Sequence, residues 1–282
     1  MVKIIECPRD AMQGIKEFID TEQKIAYLNQ LLKVGFDTLD AGSFVSPKAI
    51  PQMQDSEIVF QNINWSQSNT KLLAIVANQR GADIACSYDQ IKYIGYPFSI
   101  SETFQLRNTN ATIEESIERT KHIIQLCKEY NKEPVIYISM GFGNPYGDEW
   151  NAGIVMKWTE KLVNLGVRII SLSDTIGVSN PDSINYLFSY LIPTFNEIEF
   201  GAHLHTQPHN WLEKVDAAYK SGCKRFDGAL KGYGGCPMAK DDLTGNMPTE
   251  NMIMYFNANN IDNQINNEEL NKSLLLTKQI FH

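Results

Sequence analysis

Short runs of aliphatic and β-branched residues recur at 2–7, 36–40, 71–76, 91–94, 135–140, 167–172, 198–204 and 224–229. Each is the length of a buried strand and too short for a helix; the last is the least apolar. Segments with a helical period lie between most of them. Residues 21–34 place Ile25, Leu28, Leu31 and Leu32 on one stripe, and residues 113–130 do the same with Ile113, Ile117, Ile124 and Cys127. Thr112 and Glu115 stand three apart at the start of the second segment, which predicts a capping box. Further helices are predicted at 154–165, 181–191 and 211–221, the first and last stopping at Gly166 and Gly222.

Eight strands sharing 282 residues means about 35 residues per unit, the size of a βα repeat. Strict alternation predicts parallel strands joined by right-handed crossovers. A doubly wound open sheet is the competing arrangement, but no Gly-x-Gly-x-x-Gly follows the first strand. The expected fold is therefore α/β, a (β/α)8 TIM barrel forming one catalytic domain over 1–282. Residues from about 247 to 282 are expected to add short helices on its outside.

Composition narrows the function. The 25 basic and 33 acidic residues give a net charge of −8, and no basic stripe appears, so nucleic acid is not an expected partner. No apolar run approaches the roughly 18 residues of a membrane span. Cys7, Cys86, Cys127, Cys223 and Cys236 are odd in number, scattered and without a Cys-x-x-Cys pair, the pattern of free thiols in a reducing compartment. The first strand begins at residue 2, so no leader is expected ahead of it and the cytoplasm is the expected location.

In such a barrel the chemistry sits where strands end and βα loops begin. The first strand runs out into Pro8-Arg9-Asp10, with Gln13 and Lys16 close behind. The seventh carries His203-Leu204-His205, and residues i and i+2 on a strand share a face. Two imidazoles at the mouth, with Asp10 as the charged ligand, predict a divalent-metal site. Arg9 is placed to stabilise a developing oxyanion. Cys236 sits in Gly-Gly-Cys-Pro, where a reactive thiol acting as acid or nucleophile is expected. No Gly-x-Ser-x-Gly supports serine hydrolysis.

The chain resembles the 3-hydroxy-3-methylglutaryl-CoA lyase family of metal-dependent TIM-barrel lyases and aldolases. Pro8-Arg9-Asp10, Gly42-Ser43-Phe44-Val45-Ser46-Pro47-Lys48, Pro51-Gln52-Met53, Ile113-Glu114-Glu115-Ser116 and Ser171-Leu172-Ser173-Asp174-Thr175-Ile176-Gly177 carry the first part of the likeness. His203-Leu204-His205, Gly234-Gly235-Cys236-Pro237 and Gly245-Asn246 complete it, all in the family's order. The resemblance implies Asp10, His203, His205 and Asn246 as metal ligands, with Mg²⁺ or Mn²⁺ as the ion. It implies Arg9 as the enolate stabiliser and Cys236 as the acid, and it puts Asp40, Gln13, Lys16, Lys48 and Asp174 in or near the pocket. Asp40 stands where the family usually has a glutamate, and Thr206-Gln207-Pro208-His209 where Asp-Thr-Tyr-Gly is common.

The implied reaction is a retro-Claisen cleavage of 3-hydroxy-3-methylglutaryl-CoA to acetoacetate and acetyl-CoA. Asp10, Asp40 and His203 are open as general base. An acyl-CoA substrate needs cations, and Lys16 and Lys48 are expected nearest it, with Arg80 and Arg107 expected as ordinary surface charges. A homodimer follows from the resemblance alone. The alternatives are a related lyase or aldolase acting on another 3-hydroxyacyl-CoA or a 4-hydroxy-2-oxo acid, or a metal-binding homologue without catalysis.

Overall fold

The computed structural model describes residues 1–235 and 244–281. Eight parallel strands close into a barrel: β1 (Lys3–Glu6), β2 (Thr38–Ser43), β3 (Lys71–Ile75), β4 (Ile91–Ser99), β5 (Glu133–Ser139), β6 (Ile169–Asp174), β7 (Glu199–Thr206) and β8 (Arg225–Gly228). Each pairs with its neighbour in sequence, and β1 pairs with β8 to complete the ring. The expected (β/α)8 barrel is the observed one.

All eight predicted strands are present; the largest difference lies in β4. The apolar run was expected to stop at 94, yet the strand continues through Gly95 and Pro97 to Ser99. Pairing with β5 holds it as far as Ser99 opposite Ser139. Val76 N donates to the Gly95 carbonyl, so Pro97, two residues on, faces the same edge, beyond the end of β3. Its missing N–H therefore breaks no ladder bond.

The outer ring comprises α1 (Pro8–Met12), α2 (Thr21–Leu31), α3 (Ser56–Asn62), α4 (Gln79–Cys86), α5 (Glu102–Thr109), α6 (Ile113–Glu129), α7 (Ala152–Asn164), α8 (Pro181–Thr194), α9 (Trp211–Lys220), α10 (Thr249–Ala258) and α11 (Asn267–Ile280). The capping box of α6 forms in both directions: Glu115 N donates to Thr112 Oγ1 at 3.1 Å and Thr112 N to Glu115 Oε2 at 2.8 Å. Gly166 and Gly222 follow α7 and α9 with φ of +103° and +99°, the left-handed turn that ends a helix without a Cβ penalty. The helices after residue 246 are α10 and α11; α11 packs on α2. No helix among the described residues is long and apolar enough to cross a membrane.

Inside the barrel, Leu73, Ile75, Tyr93, Val135, Tyr137 and Ile169, from β3 to β6, form a mainly apolar cluster. The larger core fills the space between strands and helices. Above the inner cluster, at the carboxyl ends of the strands, the lining turns polar.

Candidate active site and metal centre

Pro8-Arg9-Asp10 does not run on as strand. Proline at the first helical position, with its fixed φ, opens the single turn of α1 directly after β1. That turn swings Arg9, Asp10 and Gln13 back over the barrel mouth. Gln13 Nε2 donates to Asp10 Oδ1 at 2.6 Å, and Arg9 Nη1 donates to Gln13 Oε1 at 2.8 Å and to Asp10 Oδ1 at 3.2 Å.

Asp40, at the mouth end of β2, takes the other side of the guanidinium. Arg9 Nη2 donates to Asp40 Oδ2 at 2.6 Å, and Nε to the same oxygen at 3.0 Å. Burial pushes the Asp40 carboxyl up to about 6, although the Arg9 charge and hydrogen bond pull the other way. Burial also raises Asp10, but the charges of Arg9, His203 and His205 outweigh it and hold its carboxyl below the usual range. A guanidinium has five N–H groups; these contacts engage four and leave one on Nη2 at the cavity wall.

β7 places His203 and His205 side by side, ring centroids 5.5 Å apart. His203 Nδ1 is bonded to Asp227 Oδ2 at 3.1 Å, which leaves Nε2 free, the arrangement that orients a metal-binding imidazole. Burial lowers the His203 pKa, but the hydrogen bond and charge of Asp227 outweigh it and raise it above the ordinary value. Burial and the neighbouring His203 charge push His205 down to about 4, so its ring is neutral and available as a donor.

One ligand atom from each of Asp10, His203 and His205 lies within 4.8 Å of the others. Nδ1 of His205 is buried and has no hydrogen-bond partner. An orphaned imidazole nitrogen beside a buried carboxylate and a second oriented imidazole fits a divalent cation. Cys7, His203 and Asp227 satisfy the same distance test, but burial, with nearby carboxylates, raises the Cys7 thiol well above its ordinary value and keeps it protonated.

Asn246 lies on a two-residue strand, β9 (Gly245–Asn246), paired antiparallel with β7 so that His205 faces Asn246. Asn246 Nδ2 donates to Asp10 Oδ2 at 2.7 Å and to the Tyr233 carbonyl at 2.8 Å. Ligation through Oδ1 requires the amide to turn over. Gly234 has φ +91°, and a Cβ there would lie 2.7 Å from the Asp10 carbonyl and 2.8 Å from Asn246 Nδ2. Glycine is what lets this loop close on the site.

Arg9, Asp10, Gln13, Asp40, His203 and His205 all line one cavity of about 490 Å³. The rest of its lining mixes apolar side chains, Val45, Ile50, Ile75, Pro97 and Phe104 among them, with polar ones such as Asn78, Asn108, Ser139 and Arg119. Arg107 and Arg80 are both exposed, as expected, but Arg107, on α5, also borders the cavity. Lys16 and Lys48 are exposed and outside the lining. Asp174 is buried behind the wall, where its Oδ2 accepts from Ser179 Oγ at 2.5 Å and Lys214 Nζ at 2.8 Å. Cys236 lies outside the described residues.

Asp227 and Lys214 were not singled out from the sequence. Asp227 had a signal: Arg225 and Asp227 alternate on the least apolar strand, the spacing of two polar side chains turned to one face. Lys214 had none, since a lysine on an amphipathic helix ordinarily reads as surface.

The HMGL-like family profile matches residues 2–275. The chain is 32% identical over 263 residues to the hydroxymethylglutaryl-CoA lyase YngG of Bacillus subtilis, covering 93% of this chain and 87% of that one. It is 31% identical over 258 residues to the 3-hydroxy-3-isohexenylglutaryl-CoA/hydroxymethylglutaryl-CoA lyase of Pseudomonas aeruginosa, covering 91% and 85%. The solved HMG-CoA lyase of Acinetobacter baumannii, in complex with coenzyme A and 3-methylmalate, superimposes with a TM-score of 0.92. That match is at 30% identity and covers 100% of this chain and 92% of the other.

Proposed function

This chain belongs to the HMGL-like family, and we propose that it is a carbon–carbon lyase that cleaves 3-hydroxy-3-methylglutaryl-CoA to acetoacetate and acetyl-CoA. The observation that carries the reading is the convergence of Asp10, His203 and His205 beside Arg9 on one cavity wall at the strand ends. Asp10, His203, His205 and, with its amide turned, Asn246 would hold the cation; an oxygen-bearing pair beside two imidazoles is compatible with Mg²⁺ or Mn²⁺. Bound there, the cation would supply Lewis acidity that lowers the pKa of the substrate's tertiary hydroxyl.

The protein's own groups do the rest. One of the candidate bases, Asp10, Asp40 or His203, takes the hydroxyl proton. The bond between the hydroxyl-bearing carbon and the carbon next to the thioester breaks, the oxygen becomes the ketone of acetoacetate, and the electron pair becomes the enolate of acetyl-CoA. The free Nη2 N–H of Arg9 is the donor for that enolate oxygen, held in place by Asp40, Asp10 and Gln13. In this reading Cys236 returns a proton to carbon, Arg107 at the cavity wall meets the anionic CoA moiety, and Lys16 and Lys48 act outside the cavity. Asp174 supports the site from behind. Free Cys7, Cys86, Cys127 and Cys223 favour a reducing, cytoplasmic setting, and a homodimer belongs to the same reading through the resemblance.

The test is acetoacetate release from 3-hydroxy-3-methylglutaryl-CoA by the purified protein with Mg²⁺ or Mn²⁺ and a thiol. Turnover that stops on chelation supports the proposal; bound cation with no product overturns it in favour of a non-catalytic homologue. The apolar side chains of Val45, Ile50 and Ile75 in the lining favour a second reading in which a longer branch at the hydroxyl-bearing carbon is also accepted. The isohexenyl analogue, a substrate in the printed name of the Pseudomonas relative, is the compound to compare.

A further inference from the structure

Lys214, on α9, is fully buried. Its ammonium has three N–H groups, and three acceptors surround it: Asp174 Oδ2 at 2.8 Å, the His205 carbonyl at 2.9 Å and the Gly177 carbonyl at 3.0 Å. A charge is costly to bury, and an apolar side chain of the same volume commonly gives equal or better stability. The partners locate the cation's use. Pairing between β6 and β7 ends at Asp174 opposite Leu204, so the His205 carbonyl lies one residue beyond that ladder, where β7 goes on to pair with β9. Lys214 takes that carbonyl, and with the same group ties the end of β6 and the Gly177 turn to the end of β7.

We propose that Lys214 is a positioning residue: its ammonium fixes the His205 backbone, and so aims the His205 imidazole at the cation site. Asp174 is then the counter-ion paired with Lys214 inside the protein, anchored in turn by Ser179 N at 3.1 Å. The inference rests on the metal site of the proposed function. It differs from a purely structural ion pair in one respect: neutralising both partners repairs the charge balance but leaves the His205 carbonyl without its donor.

The experiment compares the whole protein with Lys214→Met, Lys214→Arg and the double variant Lys214→Met/Asp174→Asn. Mn²⁺ affinity is read from the electron paramagnetic resonance of the free ion, and thermal unfolding is recorded alongside. Loss of support behind a ligating histidine ordinarily weakens metal binding about 10–100-fold. That loss is expected in Lys214→Met, with partial recovery in Lys214→Arg. The double variant is expected to regain thermal stability while its Mn²⁺ affinity stays low, and it carries the test if the single variant does not fold. Wild-type affinity in Lys214→Met, or recovery of affinity together with stability in the double variant, overturns the inference alone. Wild-type protein that holds no Mn²⁺ overturns the proposed function along with it.

Discussion

The two ends of the barrel both bury charge, and they treat it differently. At the amino ends of the strands Lys3 pairs with Glu199, Arg225 Nη1 with Glu199 Oε1 at 3.1 Å, and Lys71 with Asp37 at 3.0 Å. At the carboxyl ends Arg9, Asp10, Asp40, His203 and Asp227 are also bonded to one another, yet buried atoms are left over: Ser43 Oγ, Ser173 Oγ, His205 Nδ1 and Asp227 Oδ1. Leaving a buried polar atom unpaired costs about 1–3 kcal/mol, so such atoms accumulate where water or a ligand completes them. Arg225 is the exception at the lower end, with Nε and Nη2 unpartnered. The difference separates a scaffold, whose charges satisfy one another, from a site, whose charges await a guest.

Removing a charge from each end puts numbers on that contrast. Arg9→Gln carries the largest expected effect: loss of one preorganised donor to a developing oxyanion costs about 10²–10³ in rate. Acetoacetate release should fall by that factor while the circular dichroism spectrum stays native; turnover near the wild-type rate would remove Arg9 from the chemistry. Asp227→Asn comes next. It keeps the shape but weakens the partner that fixes the His203 tautomer, and Mn²⁺ affinity should drop about 10–100-fold. Calorimetric titration giving an unchanged affinity would show that Asp227 merely fills space.

Glu199→Gln is the matched change at the scaffold end. It keeps an oxygen that can accept from Arg225 Nη1 but removes the anion, leaving the fully buried guanidinium with the charges of Asp227 and, at 3.9 Å, Asp37 Oδ1. A denaturant series should show a loss of about 1–3 kcal/mol, with kcat per folded molecule unaltered. A fall in kcat without a fall in stability would mean that the two ends are not separate in function.

This division also explains what the chain disclosed before folding. The eight strands were legible because buried parallel strands are short, continuously apolar runs, and the α6 cap because Thr112 and Glu115 form a local motif. His203 and His205 were legible because strand periodicity is local too. What depends on distant packing was not. Pro8-Arg9-Asp10 was placed straight after the first strand without its helical turn, and β4 was cut at residue 94 because the missing neighbour opposite Pro97 is a tertiary fact. Lys214, buried behind the cavity, looks in sequence like any exposed cation on a helix, and nothing local marks exposed Arg107 as also bordering the cavity. Lys16 and Lys48, adjacent to motifs, were expected closer to the cavity than their exposed positions put them.

Glu6 offers the smallest and most selective test, because it lies at the site's end of β1 yet is spent on the scaffold. Its Oε1 accepts from Leu230 N at 2.9 Å and its Oε2 from Thr249 Oγ1 at 2.5 Å, joining β1 to the turn after β8 and to α10. Burial pushes its carboxyl from 4.5 up to about 8, against the pull of those two bonds. The folded chain therefore holds a proton that the unfolded chain releases above its ordinary carboxyl pKa. Stability from this group is complete below pH 4.5, declines as pH rises through about 8, and is level beyond. Asp40 contributes with the same sign, but its decline ends near its value of about 6. The window above that value distinguishes the two carboxyls. Glu6→Gln keeps an acceptor for Leu230 N and removes the titration. Urea midpoints measured at about pH 6 and about pH 9 should therefore lie closer together in the variant, with the remaining gap left to groups such as His203, while the wild type loses on the order of a few kcal/mol between them. Equal slopes in the two proteins would assign the decline to another group and leave Glu6 as a neutral strut.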